Sequence, residues 1–259
     1  MVKLALCFSG DTRTYSYCFE SIKNNLLDKY DCDVFISTYE TNDEIKDDII
    51  NLYKPKKYIF HDKNKVTQDV SKYIDNLECV KTYNCPVMID QSYNIILSNN
   101  IEDYFLNYKE HESNFSYQKI SLNALCQFFG IYDVSKLCKE YILDYKTEYD
   151  YILRIRLDNI FYSDFILNEL EENEILINFI QYYFDSVKLH DHFFMAKPET
   201  FFKISSLYNN IHNIIATINN NNCWLPGAGY QETLLLIQSL LYNVKIKQSN
   251  FFFGKLPKK

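Results

Sequence analysis

Lys3-Leu-Ala-Leu-Cys-Phe8 is a short apolar run, and Ser9-Gly10-Asp11-Thr12-Arg13 follows it directly. A continuous apolar run of this length is typical of a buried strand, and glycine among small polar residues marks the turn after it. Apolar side chains then recur at helical spacing, at Tyr15, Cys18, Phe19, Ile22, Leu26 and Leu27. The stretch therefore predicts a strand, a turn and a helix, which is the first half of a βαβ unit.

The same alternation continues along the chain. Asp33-Val-Phe-Ile-Ser-Thr38 indicates a second buried strand, residues 42–52 an acidic helix, and residues 57–60 a third strand. Strands that alternate with helices are typical of a parallel sheet covered by helices. The sequence thus predicts an α/β fold with a Rossmann-type, mostly parallel sheet flanked by helices.

Residues 61–118 interrupt this order, because they contain polar runs and no sustained hydrophobic period. We predict an irregular insertion or lid there. After it the pattern predicts a long helix, or two short ones, at 121–146, helices at 198–218 and 230–241, and strands at 149–157, 174–180, 193–196 and 244–248. A chain of 259 residues suits one domain that carries such an insertion.

The composition is that of a folded, acidic protein. Hydrophobic residues make up 47% of the chain and charged residues 24%, which excludes wholesale disorder. Lys and Arg total 27 against 34 Asp and Glu, so the formal net charge is −7. Nucleic acid is therefore not an expected partner, because neutralising many phosphates requires the opposite sign of charge. Three of the basic residues are arginines, namely Arg13, Arg154 and Arg156.

The eight cysteines form no C-x-x-C pair, and several lie in apolar runs. This pattern favours buried free thiols over disulfides or a zinc site. The apolar run at the amino terminus is too short for the core of a signal peptide, and no apolar stretch approaches the roughly 18 residues of a membrane span. We therefore expect no membrane span and a cytoplasmic, reducing location.

Two segments place polar groups directly after predicted strands, where open α/β sheets bind ligands. In residues 9–13, Gly10 allows a ligand to approach the backbone, although the same residues also suit an ordinary capped turn. In strand geometry Arg154, Arg156 and Asp158 project from one face. Since unpaired buried charge is costly, they form either a structural Arg–Asp network or a phosphate clamp beside a carboxylate that holds a divalent cation.

A third segment, His190-Asp191-His192, precedes a predicted strand and offers metal ligands or a general base. Histidines on an ordinary surface are the alternative. Glu232, on the helix predicted after Pro226-Gly-Ala-Gly229, is a second candidate carboxylate, and the alternative is an ordinary exposed helix position.

Four segments, in order along nearly the whole chain, resemble a family of nucleotide-sugar-dependent glycosyltransferases with the GT-A fold, found in surface-polysaccharide gene sets and in large DNA viruses. Leu4–Gly10 with Arg13 resembles the family's first strand and "SGxxR" turn, and the Asp33 segment resembles its "DVF" strand. Tyr149-Asp-Tyr-Ile-Leu-Arg-Ile-Arg-Leu-Asp158 resembles the "YDyxxRxRxD" strand, the most specific of the four. Asp191-His-Phe-Phe194, with the helix that follows, resembles the "nDqFxxG" segment near the acceptor site.

The resemblance implies transfer of a sugar from a nucleotide-sugar donor, UDP- or GDP-sugar first, to a glycan or other hydroxyl acceptor. Residues 1–60 would then be the nucleotide-binding part and residues 119–259 the part that carries the diphosphate and acceptor sites. The implied donor-binding residues are Ser9, Gly10, Asp11, Arg13, Asp33, Arg154 and Arg156. Asp158, with His192, would hold Mn²⁺ or Mg²⁺, and an inverting enzyme would use Asp191 as base, or else Glu232.

Two other interpretations stay open. A sugar nucleotidyltransferase on a related sheet is expected to carry a Gly-rich loop with a lysine near its start, whereas Gly10 stands alone there. A non-catalytic protein of the same fold would bind a glycan or nucleotide, for instance through its many tyrosines, without turning it over.

Overall fold

The computed structural model describes residues 1–83, 115–178, 180–183, 186–189, 192–220, 225–226, 231–249, 251 and 253–255. Within them lies a seven-stranded, mostly parallel sheet with helices packed on both of its faces. The α/β class and the mostly parallel sheet that the sequence predicts are thereby confirmed.

The strands are β1 Lys3–Gly10, β2 Asp31–Tyr39, β3 Lys57–His61, β4 Val80–Tyr83, β5 Phe115–Gln118, β6 Tyr151–Ile155, β7 Asn159–Phe161, β8 Glu174–Ile177, β9 Ile180–Tyr183, β10 Ser186–Leu189, β11 Phe193–Ala196, β12 Leu225–Pro226, β13 Lys245–Gln248 and β14 Phe253–Lys255. The helices are α1 Tyr15–Ile22, which a π-helical turn at Lys23–Leu27 extends, α2 Asp43–Tyr53, α3 Lys63–Asp75, α4 Leu122–Tyr145, α5 Pro198–Ser205, α6 Leu207–Asn220 and α7 Gln231–Leu241.

The order of strands in the main sheet is β13-β8-β11-β6-β1-β2-β3. Strands β3, β2, β1 and β6 are parallel to one another, and β11 runs antiparallel between β6 and β8. The chain moves outward from β1 to β2 and β3, then returns to the other side of β1 as β6. This reversal creates a switch point at the carboxyl ends of β1 and β6, where α/β sheets open a crevice for ligands.

Both faces of β1 are buried, which explains its unbroken apolar run. Ala5 and Cys7 point into the core formed with α4 to α7, whereas Leu4, Leu6 and Phe8 point into the core on the side of α1 and α2. The alternation follows from the two-residue period of a strand, which sends successive side chains to opposite faces.

Helix α4 is a single helix of 24 residues that packs on β1 and β2. Ser121 caps its amino end by accepting a hydrogen bond from the Ala124 backbone N–H at 3.2 Å, and Lys146 ends it in the left-handed conformation, with φ of 50°. Gly130 does not break the helix. A Cβ at that position would come 3.6 Å from Cβ of Ser9, so glycine sits where the helix passes close to the end of β1.

Several boundaries differ from those that the sequence predicts. The predicted irregularity from residue 61 is wrong for α3, whose apolar stripe Val66, Val70 and Ile74 is buried. The predicted helix over 198–218 is two helices, which meet at Ser206. Residues 84–114, the centre of the predicted insertion, lie outside the described part of the chain. In the part that the structure describes, no helix is both long and apolar enough to cross a membrane.

Candidate functional site

A cavity of about 320 Å³ opens at the switch point between β1 and β6, and we call it the switch-point cavity. Its walls come from the turn after β1, the carboxyl ends of β2 and β3, the start of α3, the first turns of α4, and β6 with the residue after it. The volume lies in the range of small-molecule sites, which spans about 300–1,000 Å³. The fold thus builds its crevice from elements that are far apart in sequence.

The lining of the switch-point cavity is cationic. Among the lining residues that the structure describes, Arg13, Lys63, Arg154 and Arg156 are cations and Asp11 is the one carboxylate. The protein as a whole carries a formal net charge of −7, whereas the charged side chains of the described cavity lining are mostly positive. All three arginines of the sequence meet here, although Arg13 and Arg154 are 141 positions apart. A cationic crevice of this kind attracts and holds anions.

The end of β1 at Gly10 lies next to the side chain of Arg156. Gly10 has φ of +113°, a conformation that glycine adopts without steric cost. A Cβ at Gly10 would lie 3.5 Å from Cζ of Arg156, so a side chain at this position would pack directly against the guanidinium. Thr38 fixes this turn, because its hydroxyl donates a 2.6 Å hydrogen bond to the Gly10 carbonyl oxygen.

Arg156 is held from behind by Asp158. Its Nε donates to Oδ1 at 2.6 Å and its Nη2 donates to Oδ2 at 2.8 Å, a bidentate pair. The Asp158 residue is 1% exposed, whereas Arg156 reaches the cavity lining. A bidentate pair fixes the plane of the guanidinium as well as its position.

Arg154 is fully buried, with 0% of its surface exposed, and it also reaches the lining. It sits on β6 between Cys7 of β1 and Phe194 of β11, at the centre of the sheet. Arg13 is closer to solvent, with 44% of its side chain exposed, and forms a 2.6 Å ion pair with Asp11. The cavity is therefore lined by two buried cations, Arg154 and Arg156, and by a more exposed cation at its rim.

The wall made by β2 and β3 is polar but carries fewer charges. Oδ2 of Asp133, on α4, accepts a hydrogen bond from the Ser37 hydroxyl at 2.8 Å and lies 2.8 Å from Nε2 of His61. Lys63 lies over the ring of Tyr39, 5.4 Å from its centroid. Burial raises the pKa of Tyr39 to about 12, so its hydroxyl stays a neutral hydrogen-bond donor at physiological pH.

A smaller cavity of about 150 Å³ adjoins this wall and shares His61 and Phe129 with the switch-point cavity. Its other lining residues come mainly from α3, with Tyr208 of α6. The rings of Phe129 and Tyr208 meet edge to face, with centroids 5.5 Å apart. The two cavities are neighbours, with the side chains of His61 and Phe129 in the lining of both.

The structure brings five of the predicted site residues into the switch-point cavity, and they are Gly10, Asp11, Arg13, Arg154 and Arg156. Ser9 is buried at the end of β1 behind them. His192 immediately precedes β11, whose amino end pairs with the carboxyl end of β6, so it lies at the same edge of the sheet. It is not part of the described lining.

The structure does not describe the side chains of two predicted carboxylates, Asp191 and Glu232. Asp191 lies outside the described residues. Glu232 lies in the first turn of α7, and its side chain is outside the described part. Their proposed roles as bases stay predictions.

The structure does not bring Asp33 to the cavity, which corrects its predicted place beside a nucleotide. Asp33 lies in the amino-terminal half of β2, and parallel strands bind ligands at their carboxyl ends. There its Oδ2 accepts a 2.8 Å hydrogen bond from the Tyr149 hydroxyl, and its Oδ1 lies 3.3 Å from Nζ of Lys56. Asp33 thus links β2 to Tyr149, just before β6, and to Lys56, just before β3.

The described residues do not fit a divalent cation at the position predicted for it. Both oxygens of Asp158 bind Arg156, and Asp158 does not contribute to the cavity lining. The carboxylate that does line the cavity, Asp11, is paired with Arg13. No cluster of three or more His, Cys, Asp or Glu side chains occurs among the residues that the structure describes.

Several lining residues are not among the site residues that the sequence predicts, for example Ser37, Tyr39, His61 and Lys63. Their signal is positional: each lies at or just after the carboxyl end of β2 or β3. Asp133 gives no such signal, because it lies in the middle of a long helix and reaches the wall only through tertiary packing.

Comparison with known proteins leaves the family open. No protein-family model matches the sequence, and no curated protein matches it at a significant level. The function is therefore inferred from the geometry of the switch-point cavity and from the residues that build it.

Proposed function

We propose that the switch-point cavity binds the diphosphate of a nucleotide-sugar and that the protein transfers the sugar to a hydroxyl of a glycan acceptor. The observation that carries this proposal is the convergence of all three arginines, with Lys63, on one cavity in an acidic chain. Guanidinium groups bind phosphate oxygens in pairs of hydrogen bonds, and buried ones bind them most strongly.

In this proposal the diphosphate lies against Arg154 and Arg156, beneath the turn at Gly10. The absence of a side chain at Gly10 lets a phosphate approach both the backbone and the guanidinium under it. Arg13, at the rim, closes on the phosphate by exchanging its pair with Asp11 for one with the ligand. Lys63 adds positive charge from the start of α3.

The nucleoside then extends along the β2 and β3 wall, and the sugar extends the other way, toward β11. The first of these walls offers the neutral polar groups of Ser37, Tyr39 and His61, which suit a base and a ribose. The other direction leads to the amino end of β11, which His192 immediately precedes. This arrangement agrees with the acceptor role that the family resemblance implies for the segment of Asp191 and His192.

The reaction forms a bond between the acceptor oxygen and the anomeric carbon of the sugar, while the bond from that carbon to the diphosphate breaks. The electron pair of the broken bond goes to the diphosphate oxygen, and the fixed guanidinium groups stabilise the charge that develops there. In an inverting reaction a carboxylate takes the acceptor proton, and Asp191 is the first candidate, with Glu232 second. The GT-A subtype of the α/β fold belongs to this proposal.

The test is a thermal-shift screen of the purified protein against UDP-, GDP-, CMP- and dTDP-sugars, followed by assays of sugar release and transfer. A ligand that binds only the folded state raises the melting temperature, by an amount that grows with its concentration over Kd. We expect one nucleotide class to raise it, and the same donor to be turned over. Binding without turnover, with every acceptor tried, would favour the non-catalytic interpretation.

A matched pair of variants connects the shift to the cavity. Arg154→Met keeps a long side chain and removes the cation, and it is expected to abolish the shift. Lys136→Met removes a cation from α4 that is 59% exposed and does not line the cavity, and it should leave the shift unchanged. Equal loss in both variants would contradict the assignment of the site.

A further inference from the structure

We propose that Asp158 is a positioning residue that aims the Arg156 guanidinium at the bound diphosphate, and that it does not serve as a metal ligand. The proposal rests on the proposed function, since it concerns how the same site holds the same ligand. It replaces the role that the family resemblance implies for this carboxylate, namely to hold Mn²⁺ or Mg²⁺.

Both carboxylate oxygens of Asp158 accept hydrogen bonds from Arg156. Its two oxygens accept from Nε and Nη2, at 2.6 and 2.8 Å, in the geometry that matches a carboxylate to a guanidinium edge. A cation at Asp158 would compete with this pair inside a site where the carboxylate is 1% exposed. Displacing the carboxylate would break a buried ion pair, which is strongly destabilising.

The pair also determines which part of Arg156 faces the ligand. Asp158 occupies the Nε–Nη2 edge, and Nη1 lies on the side of the turn, 3.6 Å from the position that a Cβ of Gly10 would take. Gly10 and Arg156 both line the cavity, whereas Asp158 does not. The carboxylate is therefore behind the guanidinium, and the edge directed to the cavity is the one that a phosphate oxygen can reach.

This arrangement supplies direction rather than additional charge, because Asp158 neutralises part of the charge of Arg156. A guanidinium that is already oriented loses little side-chain entropy when a ligand binds, so more of the interaction energy contributes to affinity. Arg154, two residues earlier on β6, adds a second buried cation to the same cavity lining. Arg13 and Lys63 supply further positive charge in the same cavity lining.

The test is a double-mutant cycle on the affinity for inorganic diphosphate, measured by isothermal titration calorimetry in the presence of EDTA. The variants are Asp158→Asn, Arg156→Lys and the two combined. We expect Asp158→Asn to weaken diphosphate binding roughly tenfold or more in the wild-type background. In the Arg156→Lys background the same change should alter the affinity by less than about twofold, since the group that Asp158 orients is gone.

The matched control is Glu199→Gln, which makes the same chemical change in an exposed ion pair of α5, where Glu199 lies 2.6 Å from Lys203. It should leave the affinity unchanged. A purely structural role for Asp158 predicts equal losses in both backgrounds, and that result would overturn the proposal. A titration with MnCl₂ alone supplies the other contrary outcome: saturable binding to the wild type that disappears in Asp158→Asn.

If Asp158→Asn does not fold, the wild type decides the matter. Diphosphate affinity that is equal in EDTA and in Mn²⁺ supports the proposal, and affinity that requires Mn²⁺ overturns it. Failure of the wild type to bind any diphosphate or nucleotide-sugar would contradict the proposed function itself and this proposal with it. Undiminished diphosphate binding by a folded Asp158→Asn variant would contradict this proposal alone.

Discussion

Replacing Gly10 by alanine introduces one methyl group between the end of β1 and the guanidinium of Arg156. The φ of +113° at Gly10 is strained for any residue with a Cβ, and such strain costs about 1–3 kcal/mol. The nearest atom to that Cβ, Cζ of Arg156, is 3.5 Å away, an ordinary contact distance. The expected loss of stability therefore comes from the backbone conformation and not from a clash.

For a chain of this length, 1 kcal/mol corresponds to about 2–4 °C in melting temperature. A strain of about 2 kcal/mol should thus lower the melting temperature of Gly10→Ala by roughly 4–8 °C. The same methyl group projects over the guanidinium in the cavity lining, so the affinity for diphosphate should fall as well. Stability and affinity are both expected to decrease in this variant.

Gly130→Ala is the matched control, because Gly130 also lines the cavity but lies inside α4. Alanine in a helix interior is favoured over glycine by about 1 kcal/mol, and the added Cβ would meet Ser9 at 3.6 Å. The expected result is a melting temperature equal to or above that of the wild type. Thermal unfolding followed by far-UV circular dichroism measures both variants. A Gly10→Ala variant as stable as Gly130→Ala would refute the strained turn.

Three further changes test separate parts of the structure. Asp33→Asn weakens the contacts with Tyr149 and Lys56 at the far edge of the sheet, so urea unfolding should show a loss of about 1–3 kcal/mol while diphosphate affinity stays within about twofold. Asp133→Ala removes the partner of Ser37 and His61, and calorimetry should show weaker nucleotide binding with unchanged inorganic diphosphate binding. Burial raises the pKa of Tyr53, so the folded state retains a proton that the unfolded state loses above about pH 10. Stability should then fall by about 1.4 kcal/mol per pH unit above pH 10, and Tyr53→Phe, measured by urea unfolding over the same pH range, should show a shallower fall.

The parts of the fold that could be predicted are those in which local pattern and burial agree. Strand β1 is apolar on both faces because both faces are covered, and its run is visible in the sequence. Strand β11 is predicted at its observed bounds, Phe193–Ala196, for the same reason. Helix α3 was harder to predict, because its buried stripe consists of few apolar residues among many polar ones.

The site could be predicted in part for a similar reason. Gly10, Arg13, Arg154 and Arg156 follow or end buried strands, and parallel topology brings such positions to one edge. The sequence left open whether Asp158 pairs with an arginine or holds a cation, since on an ideal strand side chains two positions apart project in parallel from one face. In the structure β6 ends at Ile155, and the chain beyond it lets the carboxylate close a bidentate pair.

Asp33 is a residue that the sequence analysis placed at the wrong end of the sheet. Its segment resembles a strand of a nucleotide-binding family, yet position along a strand determines which edge of the sheet a side chain reaches. Asp33 pairs with Ala5, five positions before the end of β1 at Gly10, and therefore stays far from the turn. A motif identifies an element more reliably than it identifies the end of that element where chemistry occurs.

The most direct test of the central claim is a comparison of the affinities of nucleoside diphosphate, monophosphate and nucleoside, by calorimetry, for the wild type and Arg154→Met. The base is the one that gives the largest shift in the thermal screen. A cavity that holds the diphosphate predicts that the diphosphate binds far more tightly than the monophosphate to the wild type, and that this difference collapses in Arg154→Met. Equal affinities of the three ligands for the wild type, or an unchanged difference in the variant, would contradict the account.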